Sequence, residues 1–249
     1  MKKKTKNPMS SKRPNKLIKA WQCALPSDFG NLFSFELDGA LQRVCKYVLE
    51  DAVVDFLVAE ASNIRIVSVV LGADAKESVF QPILQIELGK DTFYSPFQLV
   101  KSKTEEQFNA LVNDEEINPT IAELFILHWQ SLTNGELINA FEGLAADKID
   151  STPKEKTAKI IYSHQKIQRV RKYTYLAEET KVMLQNLANF NQPTLSLCLG
   201  SGLKVPNFHP YSFRPILNIA ESSKKRAMGG GPSENYDTSI PCPPVCGPF

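Results

Sequence analysis

The sequence lacks any apolar run long enough to cross a membrane. A spanning helix needs roughly 18 consecutive apolar residues, and Glu50, Asp51 and Asp55 interrupt the most apolar stretch. The N-terminus is rich in lysine, but residues 17–30 behind it contain no continuous apolar segment of the kind that signal peptides carry. We therefore expect no membrane partner and a cytoplasmic location.

Cysteine is scarce, with five residues in a chain of 249. Cys23, Cys45 and Cys198 are scattered, so we predict reduced thiols and no disulfide framework. Cys242 and Cys246 enclose only three residues near the C-terminus. For these two tail thiols we predict either a small disulfide loop or a modification.

Catalytic and cofactor motifs are also missing. There is no nucleophile elbow, no zinc-protease motif and no glycine-rich phosphate loop, and no histidine has a second ligand at metal spacing. We therefore assign no catalytic residue, no metal and no cofactor. The carboxylates of Glu36, Asp38, Asp74 and Glu87 leave an enzyme with an acidic cleft as an alternative, because paired carboxylates can perform acid–base chemistry.

What the sequence contains is typical of a folded globular protein. Hydrophobic residues make up 43% of the chain and aromatic residues 9%, which is enough for one large core or two modest ones. Two predicted units, each a helix followed by two strands, make the predicted fold class α+β.

Charge is segregated along the chain although the net charge is only +2. Residues 1–19 carry eight bases and no acid, residues 20–153 carry eight bases and 21 acids, and residues 154–249 carry 13 bases and six acids. Two explanations stay open: the basic ends fold onto the acidic body, or they contact an anionic partner.

Hydrophobic periodicity predicts the main elements. Apolar residues recur at helical spacing across 37–61 and again from Tyr173 to Ala188. Each predicted helix precedes two apolar, β-branched segments that are predicted to be strands. The predicted strands are 64–72, 79–89, 194–202 and 212–221.

The two helix-strand-strand units resemble each other in sequence. Phe80-x-Pro82-Ile83-Leu84-x-Ile86 matches Phe213-x-Pro215-Ile216-Leu217-x-Ile219, and a Leu-Gly pair precedes each motif. We predict an internal duplication of about 37–90 and 165–221, with both units in one shared sheet. Residues 104–144 contain three helix-start patterns and are predicted to be a helical insertion.

Both ends of the chain are predicted to be disordered. Residues 1–19 are too polar and too basic to be buried, and residues 228–249 are rich in glycine and proline. The predicted organisation is a basic arm at 1–19, one α+β domain at 20–227 and a flexible tail at 228–249.

The basic stretch 154–175 is the best candidate for a binding site. Lysines and arginines neutralise phosphates, and aromatic rings stack on unpaired bases. The predicted nucleic-acid-binding residues are Lys159, Lys166, Arg169, Arg171, Lys172 and Tyr173.

We expect a non-enzymatic interaction or assembly protein that recruits a protein partner through its arms. One alternative is a nucleic-acid-binding protein that uses the 154–175 stretch and the N-terminal arm. The other is the enzyme with an acidic cleft. The composition does not identify the partner or the oligomeric state.

Overall fold

The computed structural model of the chain describes residues 7–101, 119–144, 167–203, 211–221, 233–236 and 239–242. It is a mixed α+β fold, as predicted. The helices are α1 (Asn15–Cys23), α2 (Phe29–Leu32), α3 (Asp51–Glu60), α4 (Pro119–Ser131), α5 (Asn134–Phe141) and α6 (Ala177–Asn189). The strands are β1 (Ser34–Leu37), β2 (Ala40–Arg43), β3 (Lys46–Val48), β4 (Ile64–Val70), β5 (Ala73–Asp74), β6 (Val79–Phe80), β7 (Ile83–Leu88), β8 (Asp91–Pro96), β9 (Gln98–Leu99), β10 (Glu142–Leu144), β11 (Ile167–Arg169), β12 (Lys172–Tyr175), β13 (Pro193–Leu203), β14 (Tyr211–Glu221), β15 (Ser233–Tyr236) and β16 (Ser239–Cys242).

Two antiparallel sheets of five strands form the body of the protein. The first has the strand order β16-β12-β4-β7-β8, and the second has the order β15-β14-β13-β3-β9. The prediction of one shared sheet is wrong, because β4 and β7 lie in the first sheet and β13 and β14 in the second. Both sheets contribute to one apolar core, which includes Val67 and Val69 from the first and Leu197 and Leu199 from the second. Two sheets bury more of these apolar residues than one open sheet would.

Each sheet contains a strand from a distant part of the chain. In the second sheet β3 pairs with β13, so that Tyr47 lies opposite Leu197. In the first sheet β12 pairs with β4, so that Tyr173 lies opposite Val69. Each sheet therefore combines strands from both the N-terminal and the C-terminal half of the chain.

Helices α1 and α4 each pack on the side of a sheet that faces away from the main core. Ile18 of α1 packs against Val70 and Ile83 of the first sheet. Ile126 of α4 packs against Ile216 of the second sheet. Helices α3 and α6 contact each other, and α6 also contacts β4.

The two helices predicted beside the duplicated strands are shorter than expected. Residues 40–43 and 46–48 form β2 and β3, so the helix predicted over 37–61 is confirmed only for Asp51–Glu60. Likewise, β12 occupies 172–175 and α6 begins at Ala177. Short apolar runs satisfy the helical and the strand period equally well, and pairing with a distant strand decides the outcome.

The predicted strands are present. Residues 194–202 and 212–221 lie within β13 and β14, which pair along their whole length from Pro193–Glu221 to Leu203–Tyr211. Of the predicted helical insertion at 104–144, helices α4 and α5 are confirmed, while residues 102–118 lie outside the described part of the chain.

Residues 7–19 occupy defined positions, in contrast to the predicted disordered arm. Met9 is buried, Ser10 forms a two-bond bridge with Tyr94 of β8, and α1 begins at Asn15. The apolar side chains of α1 account for the difference, because Ile18 and Trp21 on one face outweigh the lysines on the other.

Part of the predicted flexible tail forms strands. β15 pairs with β14, and β16 pairs with β12, so each adds an outer strand to one sheet. Proline is tolerated at such outer positions because one side of the strand needs no hydrogen bond. Pro241 in β16 follows this rule.

Among the residues that the structure describes, no helix combines the length and the apolar character needed to span a bilayer.

Candidate functional site

The predicted nucleic-acid-binding residues do not form one exposed surface. Lys159 and Lys166 lie outside the described residues. Tyr173 is only 4% exposed, and its ring contacts the Phe213 ring edge-to-face at 5.4 Å. Its ring is therefore part of the core and is not available to stack on a base.

Arg169 binds the end of helix α1. Its Nη1 donates to the carbonyl oxygens of Trp21 and Ala24, at 2.8 and 2.6 Å. The guanidinium carbon also lies 4.8 Å from the centre of the Phe29 ring. Carbonyl groups in the last turn of a helix lack partners within the helix, and a cation satisfies them well. Arg169 thus holds two distant segments together.

Arg43 makes the corresponding contact at the end of α4. Its Nη2 donates to the carbonyl oxygen of Leu132 at 2.8 Å and lies 3.5 Å from Oδ1 of Asn134. Burial lowers the pKa of the Arg43 guanidinium, while Cys45 raises it. A guanidinium stays charged at any physiological pH, so Arg43 acts here as a fixed donor.

The remaining two predicted residues reach the surface. Arg171 is exposed, and Lys172 is half-buried. Burial lowers the pKa of the Lys172 ammonium group, Glu87 raises it and Arg13 lowers it. Lys172 is therefore close enough to Arg13, in the N-terminal segment, for the two cations to act on each other.

Aromatic side chains fill the core between the two sheets. Trp21 and Trp129 are fully buried, and the rings of Phe33 and Phe141 stack at 5.3 Å with an 8° interplanar angle. Trp21 Nε1 donates to the carbonyl oxygen of Val170 at 2.8 Å. This cluster stabilises the fold by burying large rings with their polar atoms paired.

The four candidate carboxylates have separate, local roles. Asp38, with φ +53°, shares the tight β1-β2 turn with Gly39, and Glu36 lies in β1 before that turn. Asp74 Oδ1 accepts from the backbone N–H of Lys76 at 2.8 Å. Glu87 forms an ion pair with Arg65 at 3.3 Å. The described residues contain no group of three or more potential metal ligands.

The described thiols differ sharply in exposure. Cys23 is exposed, while Cys45 and Cys198 are buried and unpaired. Burial raises the pKa of Cys45 to about 11, and it also raises the pKa of Cys198. The backbone of Cys242 lies opposite Lys172 in the β12-β16 ladder, and Cys246 lies outside the described residues. The predicted disulfide or modification of these two stays a prediction.

An exposed apolar face on α4 was not predicted from the sequence. Leu124 is 57% exposed and Leu127 is 50% exposed, while Ala122, Ile126 and Trp129 on the other side of the helix are buried. Residues three apart lie on the same helix face, so the two leucines form one patch. The sequence signal that could have indicated this exposed face is the uninterrupted apolar run Leu-Phe-Ile-Leu at 124–127. A surface helix needs apolar residues on only one face, and four consecutive apolar residues extend beyond one face.

Comparison of the chain with models of protein families, with curated proteins and with solved structures finds no match. Function therefore has to be argued from the chemistry of the surface and the core.

Proposed function

We propose that this chain is a non-enzymatic interaction or assembly protein, built from two copies of one structural unit, that binds a protein partner. The two copies would span residues 15–99 and 119–242. The observation that carries the proposal is the exposed leucine pair on α4, which the fold does not require.

The order of elements supports two copies of one unit. The first copy runs from α1 and α2 through the β1-β2 ribbon, β3 and α3 to β4, β7, β8 and β9. The second runs from α4 and α5 through the β10-β11 ribbon, β12 and α6 to β13, β14, β15 and β16. Strands β3 and β12, which would correspond, each pair with a central strand of the other copy.

Individual contacts support the same correspondence. Trp21 Nε1 donates to the Val170 carbonyl and Trp129 Nε1 to the Val44 carbonyl, both at 2.8 Å. Each valine follows an arginine, Arg43 or Arg169, that binds carbonyl groups at or just beyond the end of a tryptophan-bearing helix. The sequence Arg-Val-x-Lys-Tyr occurs at both 43–47 and 169–173.

Two glycines are surrounded in the same way. A Cβ at Gly72 would lie 3.1 Å from Cβ of Leu17, and a Cβ at Gly200 would lie 3.1 Å from Cβ of Phe125. Alignment of Trp21 with Trp129 also pairs Leu17 with Phe125. Helices α1 and α4 would thus be equivalent, residue by residue.

Comparison of α1 and α4 under this correspondence shows where their exposed faces differ. Where α4 exposes Leu124 and Leu127, α1 exposes Lys16 and Lys19 at the matching positions. The fold accepts lysine at the two positions on α1. Leucine at the corresponding positions on α4 is therefore not needed for internal packing. Adjacent exposed leucines on a helix fit a partner protein that offers an apolar groove, with the leucines as anchors.

The remaining features agree with this role. Cys23, Cys45 and Cys198 are free thiols, as in a reducing compartment, and we propose a cytoplasmic protein on that basis. Recruitment through the predicted arms at 1–19 and 228–249 stays a prediction.

A comparison of variants tests the proposal. The full-length protein is used as bait in extract of the source cells, and the retained proteins are identified by mass spectrometry. We expect a defined partner with the wild type and its loss with Leu124→Lys/Leu127→Lys. Leu41→Lys is the matched control, because Leu41 is 76% exposed on β2. The proposal is wrong if all three baits retain the same proteins.

A further inference from the structure

Two basic segments that are far apart in the sequence lie on the same side of the first sheet. The bridge between Ser10 and Tyr94 fixes the N-terminal segment along β8. Helix α1 then crosses the sheet, and Ile18 packs against Val70 of β4. The segment that contains Lys12 and Arg13 therefore runs directly into a helix that lies on the sheet.

Strand β12 brings the second basic segment to this side. Lys172 lies opposite Val70 in the ladder between β12 and β4. Side chains alternate along a strand, and the next residue, Tyr173, is buried in the main core. Lys172 therefore lies on the α1 side of the sheet, where Glu87 and Arg13 both act on it electrostatically.

We propose that this side of the first sheet binds the phosphate backbone of a nucleic acid. The contacting cations come from the N-terminal segment, the exposed face of α1 and the start of β12. They are Lys12, Arg13, Lys16, Lys19 and Lys172. This proposal goes beyond the protein-binding role and stands or falls separately from it.

Four of these charges are not needed to hold the fold. Lys12, Arg13, Lys16 and Lys19 are exposed, and none of these four forms an ion pair with a carboxylate within the described residues. No acidic residue precedes Asp28 in the sequence. The matching face of α4 carries leucine where α1 carries Lys16 and Lys19, so the architecture tolerates the loss of both cations.

The surface suits nucleic acid better than a lipid bilayer. A helix that lies on a membrane inserts its apolar face among the acyl chains. In α1 that face is occupied, because Ile18 and Trp21 are buried within the protein. None of the exposed large apolar residues of the described chain lies in α1. The positive charges remain available for phosphates, which they bind in a strongly salt-dependent way.

The test measures fluorescence anisotropy of a labelled 20-nucleotide single-stranded RNA with the full-length protein. The patch variant is Lys12→Gln/Arg13→Gln/Lys16→Gln/Lys19→Gln. The control variant is Lys76→Gln/Lys90→Gln/Lys101→Gln/Lys181→Gln, which removes four equally exposed charges elsewhere. Both variants change the net charge by the same amount, so they separate a local site from the overall charge.

We expect the wild type to bind and its affinity to fall with salt, with a log–log slope of about −3 to −4 for five contacts. The patch variant should lose about tenfold or more in affinity, with a shallower slope, while the control stays within about twofold. Lys16→Gln changes a single exposed side chain and should alone weaken binding several-fold, which guards against misfolding of the multiple variant.

Three results would overturn the proposal. The first is the absence of RNA binding by the wild type at 50 mM salt, about the lowest salt at which such contacts are compared. The second is an equal loss of affinity in the patch and control variants. The third is binding of vesicles that contain phosphatidylserine, lost in the patch variant, without binding of RNA, since this would identify a lipid surface.

Discussion

The indole N–H of Trp21 donates a hydrogen bond to the carbonyl oxygen of Val170, a residue 149 positions further along the chain. Trp129 makes the same bond to Val44. Each tryptophan therefore fixes the residue that leads into β12 or β3, the two strands that pair with β4 and β13. The strands that complete the two sheets depend on these two side chains.

Removing either indole N–H should destabilise the protein by a similar amount. Trp21→Phe and Trp129→Phe each leave a buried valine carbonyl without its donor, which costs about 1–3 kcal/mol. Urea unfolding followed by circular dichroism measures the loss, because tryptophan fluorescence changes in the variants themselves. Wild-type stability in either variant would contradict the role assigned to that bond.

Adding one methyl group at Gly72 or Gly200 should also destabilise the fold. The new Cβ would lie 2.7 Å from the carbonyl oxygen of Gln81, or 2.9 Å from Cδ1 of Ile216. Both contacts are too short, so Gly72→Ala and Gly200→Ala should each cost about 1–3 kcal/mol. Gly135→Ala is the control, because nothing lies within 4 Å of its Cβ. In helix α5 that change should be neutral or stabilise by up to about 1 kcal/mol.

The buried thiol of Cys45 should make stability fall at alkaline pH. Its pKa is about 11 in the folded protein, against 9.0 for a thiol in water, the value that applies to the unfolded chain. Its contribution is fully present below pH 9 and is lost as the pH rises toward 11. At pH 9.5 the loss from this thiol is about 1 kcal/mol.

The measurement compares the wild type with Cys45→Ala at pH 7.5 and pH 9.5. The variant loses some stability at both pH values through its smaller side chain, but it should lose less between them. Urea unfolding at the two pH values gives this difference. An identical pH dependence in both proteins would contradict the raised pKa.

The leucine patch on α4 should be dispensable for folding. Leu124→Lys/Leu127→Lys should change the free energy of unfolding by no more than about 0.5 kcal/mol per site, because both side chains are largely exposed. Ile126→Ala, on the buried face of the same helix, should cost about 2–5 kcal/mol. Thermal unfolding of both variants distinguishes the two faces. A large loss in the lysine variant would assign the leucines to internal packing.

Much of the local structure could be predicted from the sequence, because it depends on residues close together in the chain. The apolar, β-branched runs that became β13 and β14 are long and bounded by turn residues, so the prediction of strands was secure. Residues 41–49 were harder, since their apolar positions fit both periods. They are extended because β2 pairs with β1 and β3 pairs with β13.

The roles of the candidate site residues depend on which side chains are buried, and burial could not be read from the sequence. Arg169 and Tyr173 belong to a basic, aromatic stretch, yet one binds carbonyl groups of α1 and the other lies in the core. The proximity of Lys172 to Arg13 follows from the position of α1 across β4. The exposed leucines of α4 become informative only beside the lysines of α1, and that comparison depends on the correspondence that we propose between the two helices.

Site-specific photo-crosslinking tests the central claim most directly. A benzophenone amino acid replaces Leu124 in the full-length protein, expressed in its own cells, and the irradiated products are separated by mass. We predict one discrete protein adduct from position 124 and none from the same group at Leu41 or at Lys16, the position on α1 that the proposed correspondence aligns with Leu124. Indistinguishable products from all three positions would contradict the assignment of this face to a protein partner.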